Sequence, residues 1–315
     1  MLRPKTFYYS TPNMREFSRK YETYTITREF FPDKTPNIQI DGIVEINTNT
    51  TGMIDIVYFT QYENMEQKKI EEYIIHVLAD TRNLNSLTVV DLYDPLATME
   101  RVDSNHPGNI ATANIDAHFW KTLPIPDGGK KIRRILFDHH TLHNRFYYSG
   151  GNTSVIFKSA MSLIAEHLNP IKDAVAFPDE GACKRFGPYF KSLGFKTIIC
   201  GTVRRGDSRI VTITDSEVSF PTTMNITIID DLVRSGGTLI ACAKALVEIG
   251  AENNVDVFVT HAQFPNDSWT KFLTLDTSIS MFYTTNTIPR VTEKLERYPK
   301  AFTVLDIYPI IKDYI

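Results

Sequence analysis

Only three cysteines occur in the 315 residues, Cys183, Cys200 and Cys242. They are odd in number, far apart and without a CxxC pair, which argues against a disulfide framework and a zinc site and suits a reducing compartment. No apolar run approaches the roughly 18 residues of a membrane span. No signal-like apolar block follows Met1-Leu2-Arg3-Pro4-Lys5, so the expectation is a soluble, cytoplasmic protein with no membrane partner. Neither sign of charge dominates: 34 basic residues face 37 acidic ones, and the net charge of -3 gives no general pull towards nucleic acid. The basic cluster Lys130, Lys131, Arg133 and Arg134 is short and reads as the solvated start of a strand. Low-complexity tracts and strong internal repeats are lacking, as are the nucleotide loops GxxxxGK[ST] and GxGxxG.

What is present is ordinary globular composition, with 42% hydrophobic and 23% charged residues. At about 150 residues per domain the length allows two domains. Short β-branched runs alternate with helical patterns, the signature of parallel α/β architecture. The strand candidates are Thr6–Tyr9, Ile54–Phe59, Ser86–Leu92, Arg134–Phe137, Ala174–Phe177, Thr197–Cys200, Asn225–Ile229 and Val255–Thr260. Ile156, Ala160, Leu163, Ile164 and Leu168 recur at helical spacing and predict a helix over 154–168, ended by Asn169-Pro170. The small, polar stretch Ser149–Thr153 separates two series of β/α units, which places domains at 1–150 and 151–315.

The most informative stretch is Ile226–Leu239. An apolar strand ends in Asp230 and Asp231, then Arg234-Ser235-Gly236-Gly237-Thr238 leads into a helix whose apolar face includes Leu239, Ala243, Leu246 and Val247. Glycines let successive N–H groups turn towards a phosphate at the helix N-terminus, and the hydroxyls of Ser235 and Thr238 can donate as well. Carboxylates at the carboxyl end of a strand suit sugar hydroxyls or hydrated magnesium. A sugar 5-phosphate would satisfy both ends.

This stretch resembles the phosphoribosyl-diphosphate motif of the type I phosphoribosyltransferase fold, and more closely the ribose-5-phosphate loop of the ribose-phosphate pyrophosphokinases. Four other segments extend the resemblance. Phe137–Tyr148 is similar to the strand-end segment that carries the family's metal histidine, which falls on His140. Ala176–Phe186 resembles the pyrophosphate loop, with Asp179 as a second metal ligand. Phe30–Ile38 matches the N-terminal nucleotide loop, with Phe31 and Asp33, and Thr98–Val102 falls where the family has an ATP-binding arginine, here Arg101. Phe-Pro-Asp-x-Gly-Ala-x-Lys-Arg-Phe, Val-Arg-x-Gly-Asp-x-Arg-Ile-Val, Ser-Gly-Gly-Thr-Leu and Thr-His-x-x-Phe-Pro lean towards the plant-type, phosphate-independent class.

The resemblance implies two phosphoribosyltransferase-like domains related by pseudo-twofold symmetry, with the last residues packing on the N-terminal one. It also implies a homo-oligomer using Mg²⁺ and ATP as co-substrate, which moves a diphosphate to ribose 5-phosphate and forms phosphoribosyl diphosphate and AMP. His140 and Asp179 then bind metal, Asp230 and Asp231 orient ribose hydroxyls, and Ser235–Thr238 hold the 5-phosphate. Three departures stand out. Where the family has Lys-x-Arg, this chain has Thr202 before Arg204. A missing cation in phosphoryl transfer is worth about a thousandfold, so Arg205 or Arg209 becomes a candidate replacement. Lys34 replaces a loop glycine, with Thr35 near the usual acidic position. Arg234 adds a cation at the 5-phosphate loop, where a bulkier acceptor such as ADP-ribose would place charge. Transfer to ADP-ribose, a catalytically weak regulatory partner and a phosphoribosyltransferase therefore remain open alternatives.

Overall fold

The computed structural model describes residues 4–21, 23–49, 52–99, 102, 108–205, 208–274 and 277–315, with backbone alone at 45, 49, 202–205 and 208–210. The chain forms two compact units, one of Met1–Lys158 with Ile310–Ile315 and one of Ser159–Pro309.

In unit 1, β1 (Lys5–Ser10) is followed by a hairpin of β2 (Ile26–Phe30) and β3 (Pro36–Ile40). Then come β4 (Ile54–Thr60), β5 (Leu84–Asp91), β6 (Ile132–Phe137) and β7 (Thr153–Lys158). The sheet is parallel, in the order β1-β4-β5-β6-β7. In unit 2, β8 (Asp173–Phe177) is followed by an antiparallel pair, β9 (Lys196–Arg205) and β10 (Ser208–Ser216). Next are β11 (Asn225–Val233), β12 (Val255–Ala262), β13 (Phe282–Thr285) and β14 (Phe302–Leu305). They assemble as β10-β9-β8-β11-β12-β13-β14. The series β1-β4-β5-β6-β7 and β8-β11-β12-β13-β14 share one order, each with an antiparallel pair inserted after its first strand. This is a duplicated α/β topology without an evident sequence repeat.

The strands form because they are β-branched and apolar enough to be covered on both faces, as parallel sheets require. In unit 1 the helix Met65–Ala79 starts at Asn64, whose side chain accepts the Gln67 N–H, and lays Ile70, Ile74 and Leu78 into the core. Each such side chain contributes about 1.5–3 kcal/mol of burial. In unit 2 the helix Gly237–Glu248 buries Leu239, Cys242, Ala243 and Leu246. Val247, expected on the same face, is 43% exposed. Cys200 and Cys242, distant in sequence, meet in this core as free thiols. Their hydrogen bond, together with burial, pushes the Cys242 thiol up.

Three other expectations change. The unit boundary falls after Lys158 rather than at 149–153, because β7 pairs with β6 along its whole length. The predicted helix over 154–168 shrinks to Met161–Ala165, and Ile156 belongs to β7. Thr153, Val155 and Ile156 are β-branched, and pairing with an existing sheet edge outweighs local helical spacing. Finally, the basic cluster is not a solvated face throughout: Lys130 and Lys131 are exposed, but Arg134 is completely buried among Asp91, Asp94 and Asp116. Three carboxylates make burial of that charge tolerable.

Candidate active site

In unit 2, β11 runs between β8 and β12. Its regular structure continues through the two carboxylates to Val233 instead of stopping before them. The strand's alternation separates their roles. Asp231 is buried, and its Oδ2 accepts from Arg185 Nη1 at 3.0 Å. Asp230 is half-buried, and its Oδ1 accepts the Asp231 N–H at 2.9 Å. Burial first, and then the charge of Asp231, push the Asp230 carboxyl well above the usual range, with Asp179 adding to the effect. These carboxylates therefore stand in a local excess of negative charge, which favours a cation or hydroxyl donors arriving with a ligand.

After Val233, Arg234 and Ser235 are exposed. Gly236 turns the chain at φ +78°, and the helix begins at Gly237 with no capping side chain. The first N–H groups of that helix have no partner within it, so this end favours an anion. The turn must be glycine: a Cβ at Gly236 would lie 2.5 Å from the Phe272 ring. Neighbouring residues brace the loop from the segment Pro265–Leu273. Ser268 Oγ donates to Arg234 O at 3.1 Å, and Lys271 Nζ donates to Ser235 O at 3.4 Å. Gly237 and Thr238 are exposed at the helix start.

Asp179 follows β8 and caps the helix Glu180–Ser192, Oδ1 accepting the Ala182 N–H at 2.8 Å. It therefore has a structural task as well as an exposed carboxylate. In the β9–β10 pair, Thr202 stands opposite Val211, Arg204 opposite Arg209 and Arg205 opposite Ser208. The side chains of Arg204 and Arg205 lie outside the described residues.

In unit 1, His140 is exposed just after β6, while its neighbour His139 is buried. Phe31 and Asp33 sit at the tip of the β2–β3 hairpin. Phe31 N–H donates to Thr35 O at 2.9 Å, and Lys34 N–H donates to Phe31 O at 2.8 Å. Asp33 Oδ1 accepts the Thr35 N–H at 3.0 Å, which holds its carboxyl below the usual range. Lys34 adopts φ +67°, a conformation that favours glycine and gives a physical meaning to the departure noted at this position. Phe31 is half-exposed. Arg101 lies outside the described residues.

The structure thus brings Asp230, Asp231 and the loop 234–238 into one place, with Asp179 close enough to act on Asp230. It assigns His140 and Asp179 to different units. Among the described residues no group of three or more His, Cys, Asp and Glu side chains is arranged to hold a metal ion alone. His140 and Asp179 are each exposed within their own unit, and a carboxylate such as that of Asp179 suits Mg²⁺ when phosphate oxygens and water supply the other ligands. Sequence reasoning missed Arg185, Ser268, Lys271 and Phe272 as site neighbours. Arg185 lies one and a half turns beyond Asp179 in the same motif, a spacing that could have suggested it. The other three are joined to the loop only by the tertiary fold.

No family model matches the chain. It is 34% identical over 255 residues to "Ribose-phosphate pyrophosphokinase 3, chloroplastic" of Oryza sativa subsp. japonica, covering 80% of this chain and 58% of that protein. It is 36% identical over 232 residues to "Ribose-phosphate pyrophosphokinase 3, mitochondrial" of Spinacia oleracea, covering 70% and 54%. With "Ribose-phosphate pyrophosphokinase 4" of Oryza sativa subsp. japonica it shares 34% identity over 237 residues, covering 72% and 70%. The matches thus span a little over half the length of the first two relatives. The crystal structure of a phosphoribosylpyrophosphate synthetase from Mycobacterium smegmatis superposes with a TM-score of 0.75 over 98% of this chain and 97% of that one, at 18% identity, and so shares the fold. With one relative matched over more than two thirds of its own length, the chain belongs to the ribose-phosphate pyrophosphokinase family.

Proposed function

We propose that the chain is a ribose-phosphate diphosphokinase, transferring the β,γ-diphosphate of ATP to the anomeric hydroxyl of ribose 5-phosphate. The observation that carries this reading is the continuity of Asp230 and Asp231 with an uncapped helix start at Gly236–Thr238, which offers carboxylates for sugar hydroxyls and N–H groups for a phosphate on one short segment. In the reaction a bond forms between the anomeric oxygen and the β-phosphorus, the bond from that phosphorus to the α–β bridging oxygen breaks, AMP leaves, and the hydroxyl proton is released. No enzyme nucleophile is needed, so catalysis is positioning plus charge neutralisation.

Ser235, Gly236, Gly237 and Thr238 hold the 5-phosphate. Asp230 and Asp231 orient the ribose, with Arg185 fixing the Asp231 carboxylate. Arg204, with Arg205 in place of the absent lysine, meets the transferred phosphates. Phe31, Asp33 and Arg101 seat ATP. His140 and Asp179 are each metal ligands in this reading, and Mg²⁺ would neutralise phosphate charge. The same family resemblance supports a homo-oligomer. A cytoplasmic location belongs to this reading, beside relatives whose names carry plastid and mitochondrial designations.

A second reading, transfer to ADP-ribose, is favoured by one feature: Arg234 is exposed at the edge of the 5-phosphate loop. AMP release from ATP and Mg²⁺ with each acceptor alone, beside His140→Ala, tests both. Release with ribose 5-phosphate that is lost in His140→Ala supports the first reading, and release with ADP-ribose alone supports the second. Silence with both overturns them and favours a regulatory partner or a phosphoribosyltransferase.

A further inference from the structure

Arg134 lies within β6 with no exposed surface, and a guanidinium stays charged in any protein environment. Its surroundings must therefore hold that charge. Nη2 donates to Asp91 Oδ2 at 2.5 Å and approaches Asp94 Oδ2 at 3.3 Å. Nη1 donates to Asp116 Oδ2 at 3.1 Å and to Tyr148 OH at 2.8 Å, and Nε donates to Asp91 Oδ2 at 3.1 Å. The guanidinium also lies 4.2 Å from the centre of the Trp120 ring. Lys68 pairs with the other oxygen of Asp116. The cluster is not a vacant metal centre, because Arg134 occupies its middle.

From this cluster, Asp94 leads outwards. Its Oδ1 accepts the Leu96 N–H at 3.0 Å and caps the turn Pro95–Thr98, from which the chain runs on to Arg101. Its Oδ2 faces His139 Nε2 at 3.5 Å, and that nitrogen has no hydrogen-bond partner among the described residues. His139 immediately precedes His140. On the other side of the imidazole, Nδ1 lies 3.4 Å from Asn144 Nδ2, and the same amide donates to Ala97 O at 3.3 Å. Nδ1 also lies 3.3 Å from Thr141 O, so the imidazole packs against its own turn on one side and faces Asp94 on the other. The turns 95–98 and 138–144 therefore meet twice, by the 3.5 Å approach of imidazole to the Asp94 carboxylate and by the hydrogen bond from the Asn144 amide to Ala97 O. An apolar side chain at 134 would fill the core without desolvating so many charges. Burial alone does not account for the arrangement.

We propose that Arg134 and His139 are positioning residues: the buried chain Arg134–Asp94–His139 fixes the turn that presents His140 against the turn that leads to Arg101. This rests on the functional reading above, in which both turns serve Mg·ATP. The device holds two segments from different strand ends at one mutual spacing before nucleotide arrives, and misplacement by an ångström costs up to about a hundredfold in rate.

The test separates His139 from the cluster without unpairing Arg134. His139→Phe keeps an aromatic ring beside Phe157, whose ring centre lies 5.4 Å from that of His139, and removes the imidazole contacts with Asp94 and Asn144 while the Asn144–Ala97 hydrogen bond stays. His139→Gln keeps an N–H for Asp94. Hydrogen exchange is followed over 94–98 and 138–144, and KM is measured separately for Mg·ATP and ribose 5-phosphate. In His139→Phe both segments should exchange faster together, and KM for Mg·ATP should rise about tenfold with KM for ribose 5-phosphate unchanged. His139→Gln should restore both. Unchanged exchange, loosening of one segment alone, or an equal rise in both KM values would overturn the proposal. Failure of the parent protein to release AMP would instead overturn the transfer reading, while the exchange result would still decide whether the turns are coupled.

Discussion

At the carboxyl end of β5 in unit 1, Asp91 is sealed against Arg134, and both side chains have 0% exposure. Beyond Asp230 on β11 in unit 2, Asp231 meets Arg185 with both side chains still touching solvent, and Asp230 is left half-buried before an uncapped helix. Both units place acids at the ends of parallel strands, where open α/β sheets gather polar groups. They differ in where the countercharge comes from. Unit 1 supplies its own cation, and the acids become structure. Unit 2 pairs Asp231 with Arg185 nearer to solvent, and Asp230 stays half-buried beside it. The carboxyl groups of unit 1 show the tension of this solution. Burial pushes Asp91 up to about 7 against the pull of Arg134. Burial acts in the same direction on Asp94, but there Arg134 and His139 prevail and hold it below the usual range.

The largest effect that would break this comparison comes from exchanging each arginine for methionine. Arg134→Met should lose about 3–5 kcal/mol in chemical denaturation, because buried carboxylates are left unpaired. Arg185→Met, at a partly exposed pair, should lose about 1 kcal/mol while weakening ribose 5-phosphate binding. Equal losses would mean that the two strand ends are the same kind of structure.

Asp256 on β12 offers a control inside unit 2, since Oδ1 is buried without a hydrogen-bond partner among the described residues. Burial, with help from Asp173, pushes its carboxyl from 3.8 up to about 6. The folded state thus holds this proton more tightly than the unfolded state. The resulting stabilisation is complete below the unfolded value and is lost as pH rises through about 6. Asp256→Asn should therefore gain about 2 kcal/mol near neutral pH and little at pH 4, read from denaturation at both values. A gain independent of pH would point to packing rather than charge.

Gly236→Ala sharpens the site side of the comparison. The positive φ should cost about 1–2 kcal/mol of stability, and the close approach of Phe272 should displace the loop and weaken ribose 5-phosphate binding measured by calorimetry. Phe272→Leu added to Gly236→Ala should recover binding in part but not the dihedral strain. The smallest effect lies at the other hairpin tip: Lys34→Gly should raise stability by about 0.5–1 kcal/mol, visible as a modest increase in Tm, because it relieves φ +67°.

Much of unit 2 was legible from local pattern. The strand, the acids and the glycine turn of 226–239 each carry a residue-level signature, and the structure keeps them in one piece. Unit 1 was harder. Arg134 reads as one member of a basic run, and nothing within ten residues announces Asp91, Asp94 and Asp116 as its partners. Ile156 obeys helical spacing yet sits in β7, since sheet pairing is a contact with β6 that the local pattern does not contain.

By itself, the sequence determined that this is a two-part α/β chain with two acids at the end of β11 and a glycine turn after it, because strand periodicity, glycine conformation and adjacent acids are written within a few residues. Only the tertiary structure decided which charges are buried, which segment braces the loop and which turn meets His139, because those outcomes depend on partners brought together from 18 to 46 positions apart in the chain. Desolvation, unlike helix or strand propensity, has no local signature.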